Sequence, residues 1–180
     1  PAQWPGSVAV QPVVPEKRVD GLSMTMVGHA TVLVQVAGLN ILTDPVWSER
    51  ASPFTWAGPK RVTAPGVDFE NLPPVDVILI SHNHYDHLDI ATLQRLHAAH
   101  APLMIVPLGN DRIIRSVLPN ARIVAGDWHE QVAVNPTLKV TLTPAYHWSA
   151  RGMFDRRMAL WAGFWLDTPE RQLWFAGEAD

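Results

Sequence analysis

The sequence predicts an α/β (α+β) domain in which sheets and helices are stacked in layers. Three observations carry that expectation. Short β-branched runs separated by Gly-containing turns open the chain, a nearly continuous apolar run stands at 75–81, and apolar strand and helix patterns alternate from there to about residue 125.

Residues 1–20 carry Pro1, Pro5, Pro12 and Pro15 among small and polar residues, which reads as an extended lead-in to a domain over 21–180. Strands are expected at 22–27, 31–36 and 41–43, joined by Gly28-His29 and by Ala37-Gly38-Leu39-Asn40 as an antiparallel start. Residues 44–74 show little periodicity and six prolines, and an irregular stretch that long in a compact domain usually forms a rim or lid. The run 75–81 is a buried strand by its composition. A helix fits 89–100, with Ile90, Leu93, Leu96 and His97 on one face and Asp89 as N-cap. A strand at 103–106, a helix at 111–118 and a strand at 122–124 follow, then three strands at 138–143, 158–166 and 172–176.

Composition narrows the function. A formal charge of −3 gives no basic footprint, so nucleic acid is not an expected partner. No apolar run approaches the roughly 18 residues of a membrane span. With no cysteine, any metal must be held by histidine and carboxylate, which makes the placement of eight histidines the central question. The first residue is proline, so a processed leader or anchor upstream is compatible with the sequence. A cytoplasmic or peripheral-membrane location is expected, with export open.

His82-Asn83-His84-Tyr85-Asp86-His87 follows the buried run at once, where α/β folds place their sites. His82 and His84 leave the strand end two residues apart, so both can point one way and chelate one ion. Asp86 and His87 can reach a second position beside it. Three imidazoles and a carboxylate within six residues suit zinc, iron or manganese.

The same residues carry a resemblance. His82 to Asp89 matches the His-x-His-x-Asp-His signature and resembles the metallo-β-lactamase superfamily. Gly28-His29-Ala30-Thr31, Leu42-Thr43-Asp44-Pro45, Gly58-Pro59-Lys60-Arg61, Leu72-Pro73-Pro74-Val75-Asp76, Thr143-Pro144-Ala145-Tyr146-His147-Trp148 and Trp174-Phe175-Ala176-Gly177 look like its N-acyl-phosphatidylethanolamine-hydrolysing phospholipase D branch. The resemblance implies an αβ/βα sandwich, two mixed sheets with helices outside and metals at one edge, of which the chain holds the first half and a little more. It implies that His82, His84 and His147 bind a first divalent metal, and Asp86 and His87 a second. Zinc is the first expectation for both ions, manganese or iron the alternatives. It also implies a carboxylate bridge at Glu178, where the family has Asp. The extra methylene displaces the oxygens by about 1.5 Å, and Asp180 is the alternative ligand. A further C-terminal histidine completes the family's second site. A segment beyond residue 180 or a partner chain is therefore expected to complete the site and cover the open sheet edge.

The implied reaction is hydrolysis by a water shared between two ions and oriented by Asp86. The implied substrate is an N-acylated phospholipid or a related small ester, with peripheral membrane contact. The alternatives are a lactonase or other hydrolase of the same fold, or a silent metal-binding half that needs a partner chain. Asp44 reads equally as an acceptor for a ligand imidazole or as a turn residue, and His29 as facing the site or as structural. His97 and His100 read as structural. Trp47, Trp56 and Trp148 read as packing, with an apolar mouth as the second choice. Lys60, Arg61, Arg151, Arg156 and Arg157 read as solvated charge.

Overall fold

The structure, a computed structural model, describes residues 8–178. Its strands are β1 (Leu22–Gly28), β2 (Thr31–Val36), β3 (Leu39–Thr43), β4 (Val77–Leu79), β5 (Leu103–Pro107), β6 (Arg122–Gly126), β7 (Gln131–Asn135), β8 (Leu138–Thr143), β9 (Gly163–Asp167) and β10 (Gln172–Phe175). Its helices are α1 (Ile90–His100) and α2 (Asn110–Arg115), with a 3-10 turn at Phe69–Asn71.

The first sheet has the order β1-β2-β3-β4-β5-β6 and is mixed: the β1–β2–β3 meander is antiparallel, and β3 through β6 are parallel. The β4-α1-β5 and β5-α2-β6 units explain the parallel half, because parallel neighbours need a crossover and a helix supplies it. The second sheet, β10-β9-β8-β7, is antiparallel throughout. The expectation of two mixed sheets is corrected here: hairpin-length connections join β7 to β8 and β9 to β10 and dictate antiparallel pairing.

Two cores follow from the layers. Leu33, Leu42, Ile78, Ile80, Met104 and Val106 on one face of the first sheet pack with Leu93 and Leu96 of α1 and Ile114 of α2. Val34, Ile41, Val77, Leu79 and Ile105 on its other face pack against Leu138, Val140, Leu142, Phe164 and Leu166 of the second sheet. Alternate residues of β2, β3, β4 and β5 therefore serve opposite cores, which is why these strands read as unbroken apolar runs. Helices α1 and α2 contribute to the first of these cores only.

The helix at 89–100 is found as Ile90–His100, and Asp89 caps it by accepting from the Thr92 amide at 3.2 Å. Helix α2 is shorter than the expected 111–118, since Pro119 disfavours helical backbone at Leu118. Strand β7 was not expected, although Val132 and Val134 alternate before a turn at Asn135-Pro136-Thr137. Strand β9 begins at Gly163, not 158, because the preceding chain bonds elsewhere: the Leu160 amide donates to Leu108 O. Residues 8–13 run along the 62–66 segment, with the Val13 amide donating to Gly66 O, and Glu16 and Lys17 then accept from Gln35 and Asn40 of the first sheet.

Candidate metal centre

Four strand ends meet at one edge. Strands β3 and β4 are parallel, so Asp44 and the segment 81–87 leave the first sheet on the same side. Strands β8 and β10 are both antiparallel to β9, so His147 and Glu178 leave the second sheet together. The edges are stitched by the Ala162 amide donating to Ser81 O at 2.9 Å. Gly177 sits against Ser81 with φ +73°, where a Cβ would lie 2.8 Å from the Ser81 Cβ. Only glycine meets both the backbone angle and the close approach.

Three imidazole nitrogens converge. His82 Nε2 lies 2.9 Å from His84 Nδ1 and 3.1 Å from His147 Nε2, and His147 Nε2 lies 3.3 Å from His84 Nδ1. One Glu178 oxygen stands 3.2 Å from His147 Nε2, 3.3 Å from His87 Nε2 and 3.6 Å from His82 Nε2, between the two histidine groups. His29 Nε2 is 2.9 Å from Asp86 Oδ2, which is 3.8 Å from His87 Nε2.

The protons on these rings can be assigned by elimination. Asp44 is fully buried, and its carboxylate only accepts. Oδ1 takes the Ser81 amide at 2.6 Å, while Oδ2 takes the Ser81 hydroxyl at 2.6 Å and His87 Nδ1–H at 2.7 Å. Having given its proton to Asp44, the Ser81 hydroxyl accepts from His82 Nδ1–H at 2.9 Å. Both rings therefore present bare Nε2 lone pairs to the centre. Among the described residues, His87 Nε2 has no hydrogen-bond partner although it is buried.

Electrostatics agree with this picture for His82, while the carboxylates around His87 favour its protonated form in the absence of a cation. Burial, with His87, His84 and His147 around it, pushes the His82 pKa down to about 2. Burial and His147 lower His84. His87 moves upward, since burial is outweighed by Asp44, Asp86 and Glu178. The hydrogen bond from His29 holds Asp86 well below the usual carboxylate range. Asp44 itself has φ +34°, a left-handed backbone that a non-glycine residue adopts only where its surroundings enforce it.

The donor set fits a metal. Nitrogens bound at about 2.0–2.1 Å to one tetrahedral zinc lie roughly 3.3–3.4 Å apart, close to the spacing of His82, His84 and His147. Lone pairs at that distance repel unless a cation or proton lies between them. Three groups of donors lie within 4.8 Å of one another: His82, His84, His147 and Glu178; His29, Asp86 and His87; and Asp44, His82 and His87. Asp44 is committed to hydrogen bonds behind the rings, which leaves the first two groups. Asp180 lies outside the described residues.

A family model described as a β-lactamase superfamily domain matches residues 39–180. The chain belongs to the metallo-β-lactamase superfamily. It is 40% identical over 158 residues to an uncharacterized protein of Mycobacterium tuberculosis, covering 87% of this chain and 42% of the relative. It is 36% identical over 170 residues to N-acyl-phosphatidylethanolamine-hydrolyzing phospholipase D 1 of Caenorhabditis elegans, covering 88% of this chain and 47% of that protein. The crystal structure of CmlA, a diiron β-hydroxylase from Streptomyces venezuelae, superposes with a TM-score of 0.64 at 26% identity, covering 89% of this chain and 30% of that one. The chain thus spans less than half the length of these curated relatives.

Within this superfamily member, two residues shape the centre that sequence reasoning did not single out or place. Ser81 relays the Asp44 carboxylate to His82. Arg151, read as solvated charge, is instead half-buried: Nη1 donates to Asn83 O at 2.9 Å and to Leu88 O at 2.8 Å, and its guanidinium stacks over Tyr85. It clamps both ends of the histidine loop. Arg61 likewise turns inward, donating to Val46 O, while Lys60 pairs with Glu49 on the surface. Trp47 packs in the first core and Trp148 packs edge-to-face on His84. Trp56 is a correction, since it is 77% exposed, with its ring against Phe54. It follows Pro53 on the irregular rim and belongs to neither core cluster.

Proposed function

We propose that the chain is the metal-binding part of a metal-dependent hydrolase, and that the whole protein is a phosphodiesterase of phospholipase D type acting on an N-acylated phospholipid or a related ester. The convergence of His82, His84, His147 and Glu178 on one point, with ring protons fixed from behind, carries this reading. Two divalent ions held there supply, when bound, a lowered pKa for a shared water and positive charge beside the attacked phosphorus or carbonyl.

The chain's own residues do the rest. Asp44 and Ser81 keep the inward nitrogens of His87 and His82 free of protons. Asp86 is placed to accept a hydrogen bond from the attacking water and aim it. Glu178 joins the two donor groups. No nucleophilic side chain is required.

Substrate class is supported by the surroundings. A cavity of about 320 Å³ beside Asp86 is lined by His29, Lys60 and Arg61, of which Lys60 and Arg61 bring positive charge suited to a phosphate. A second, of about 420 Å³, is lined by Phe54, Tyr85 and Arg151. Phe54, Trp56, Met153 and Phe154 are exposed apolar side chains on the 44–74 and 146–161 loops, a surface suited to acyl chains at a membrane. No helix among the described residues is long and apolar enough to cross one, and peripheral contact is the proposed mode. A C-terminal segment or partner chain is the proposed cover for the second sheet. The C. elegans relative's name points to the same lipid.

A second reading is favoured by Glu178 together with the likeness to a diiron β-hydroxylase: an iron pair in place of zinc. Elemental analysis separates the two. Chelator-sensitive hydrolysis of bis(p-nitrophenyl) phosphate and of an N-acyl phosphatidylethanolamine by a zinc- or manganese-loaded protein supports the first reading. Iron as the native metal with no hydrolysis of either supports the second.

A further inference from the structure

We infer that His29 is a direct donor at the second metal position, joining Asp86 and His87 there from the β1–β2 turn. The inference rests on the metal-binding reading above. It takes one residue that the resemblance left outside the ligand set and gives it a place inside.

The geometry points to a shared position. The donor atoms of His29, Asp86 and His87 lie within 4.8 Å of one another, and His29 Nε2 approaches Asp86 Oδ2 to 2.9 Å. The His29 ring stands edge-to-face on His87 at 5.1 Å. His87 Nε2, buried and without a hydrogen-bond partner among the described residues, belongs to this group, and the Glu178 oxygen borders it at 3.3 Å. Two imidazoles, a carboxylate and a bridging carboxylate are donors that suit zinc, manganese or iron.

The backbone explains how the ring comes to be there. Gly28, the last residue of β1, has φ +144° and pairs with Thr31, so His29, with φ +53°, and Ala30 form the tight turn between β1 and β2. A non-glycine residue in the left-handed region is uncommon. The His29 side chain is 52% exposed, so burial does not hold it in place. Its contacts lie with Asp86 and His87.

The plainer role is a hydrogen bond from His29 Nε2–H that orients Asp86. Both roles use the same nitrogen. When Nε2 carries the ion, its proton moves to Nδ1, so the two exclude each other in any one molecule. Glutamine separates them, because its amide N–H reaches about as far and donates to Asp86 but does not ligate these metals.

The test is a titration of the metal-stripped full-length protein with zinc and with cobalt, comparing wild type, His29→Gln and His29→Ala. Calorimetry gives stoichiometry and affinity, and the cobalt spectrum reports coordination. The expected result is two ions in wild type, unchanged first-ion binding in both variants, and second-ion binding weakened at least about 100-fold in both, beyond the roughly 10–100-fold that loss of an outer hydrogen bond produces. Wild-type second-ion affinity in His29→Gln, whatever His29→Ala does, overturns the inference and leaves His29 as the orienting partner of Asp86. A wild type that binds no ion overturns the metal-binding reading itself. One that binds a single ion overturns only the second position.

Discussion

Asp44 Oδ2 accepts the His87 Nδ1 proton at 2.7 Å and, through the Ser81 hydroxyl, also governs His82. One buried carboxylate thus sets the protonation of a histidine in each of the two donor groups. Replacing Asp44 by Asn keeps its size but turns one acceptor into a donor that faces donors. Metal affinity is expected to fall about 10–100-fold, measured by competition with a chromophoric chelator. Unchanged affinity contradicts the role assigned to Asp44.

Arg151 holds the carbonyls of Asn83 and Leu88, which bracket the histidine loop. Arg151→Met removes charge-assisted hydrogen bonds and is expected to destabilise the fold by about 1.5–3 kcal/mol, read from denaturant midpoints, and to lower metal occupancy. Arg151→Lys restores part of both, since lysine donates without the planar fork. A methionine variant as stable as wild type contradicts the clamp.

Gly177 precedes Glu178 and touches Ser81. Gly177→Ala places a Cβ 2.8 Å from the Ser81 Cβ in a left-handed backbone. An expected loss of about 1–3 kcal/mol should come with weaker metal binding, since the shift displaces Glu178. A thermal melt and a zinc titration check both.

The metal-stripped protein should lose stability in acid. His82 has a folded pKa of about 2 against an ordinary 6.5, so its contribution is full above 6.5 and is lost as pH falls. One such group gives a slope of about 1.4 kcal/mol per pH unit below that value. His84 acts in the same direction. His87, raised, acts oppositely: its contribution is present below 6.5 and is lost as pH rises through its folded value. Asp86 adds only below 3.8. Urea midpoints at pH 7.5 and 5.5 should show the fall, and a flat or rising profile contradicts it.

Much of this was legible in the sequence because it is local. The buried run before His82, the Asp89 cap and the spacing from His82 to His87 are patterns within a few residues. Strand β7 was missed because Val132 and Val134 are only two apolar positions in a polar stretch. Ser81 gave no signal of its own, since its role depends on Asp44, 37 residues away. Arg151 looked like surface charge because its partners are backbone carbonyls 63 and 68 residues distant, and carbonyls leave no trace in composition. His147 and Glu178 were placed by resemblance, and their convergence with His82 is a property of how the second sheet packs on the first.

The central claim is that these donors hold a working pair of metal ions. The most direct measurement is bound metal per chain by elemental analysis of the purified protein, run beside hydrolysis of bis(p-nitrophenyl) phosphate with and without chelator. The account predicts about two ions per chain and turnover that chelator abolishes and added metal restores. Protein without bound metal, or turnover indifferent to chelator, would contradict it.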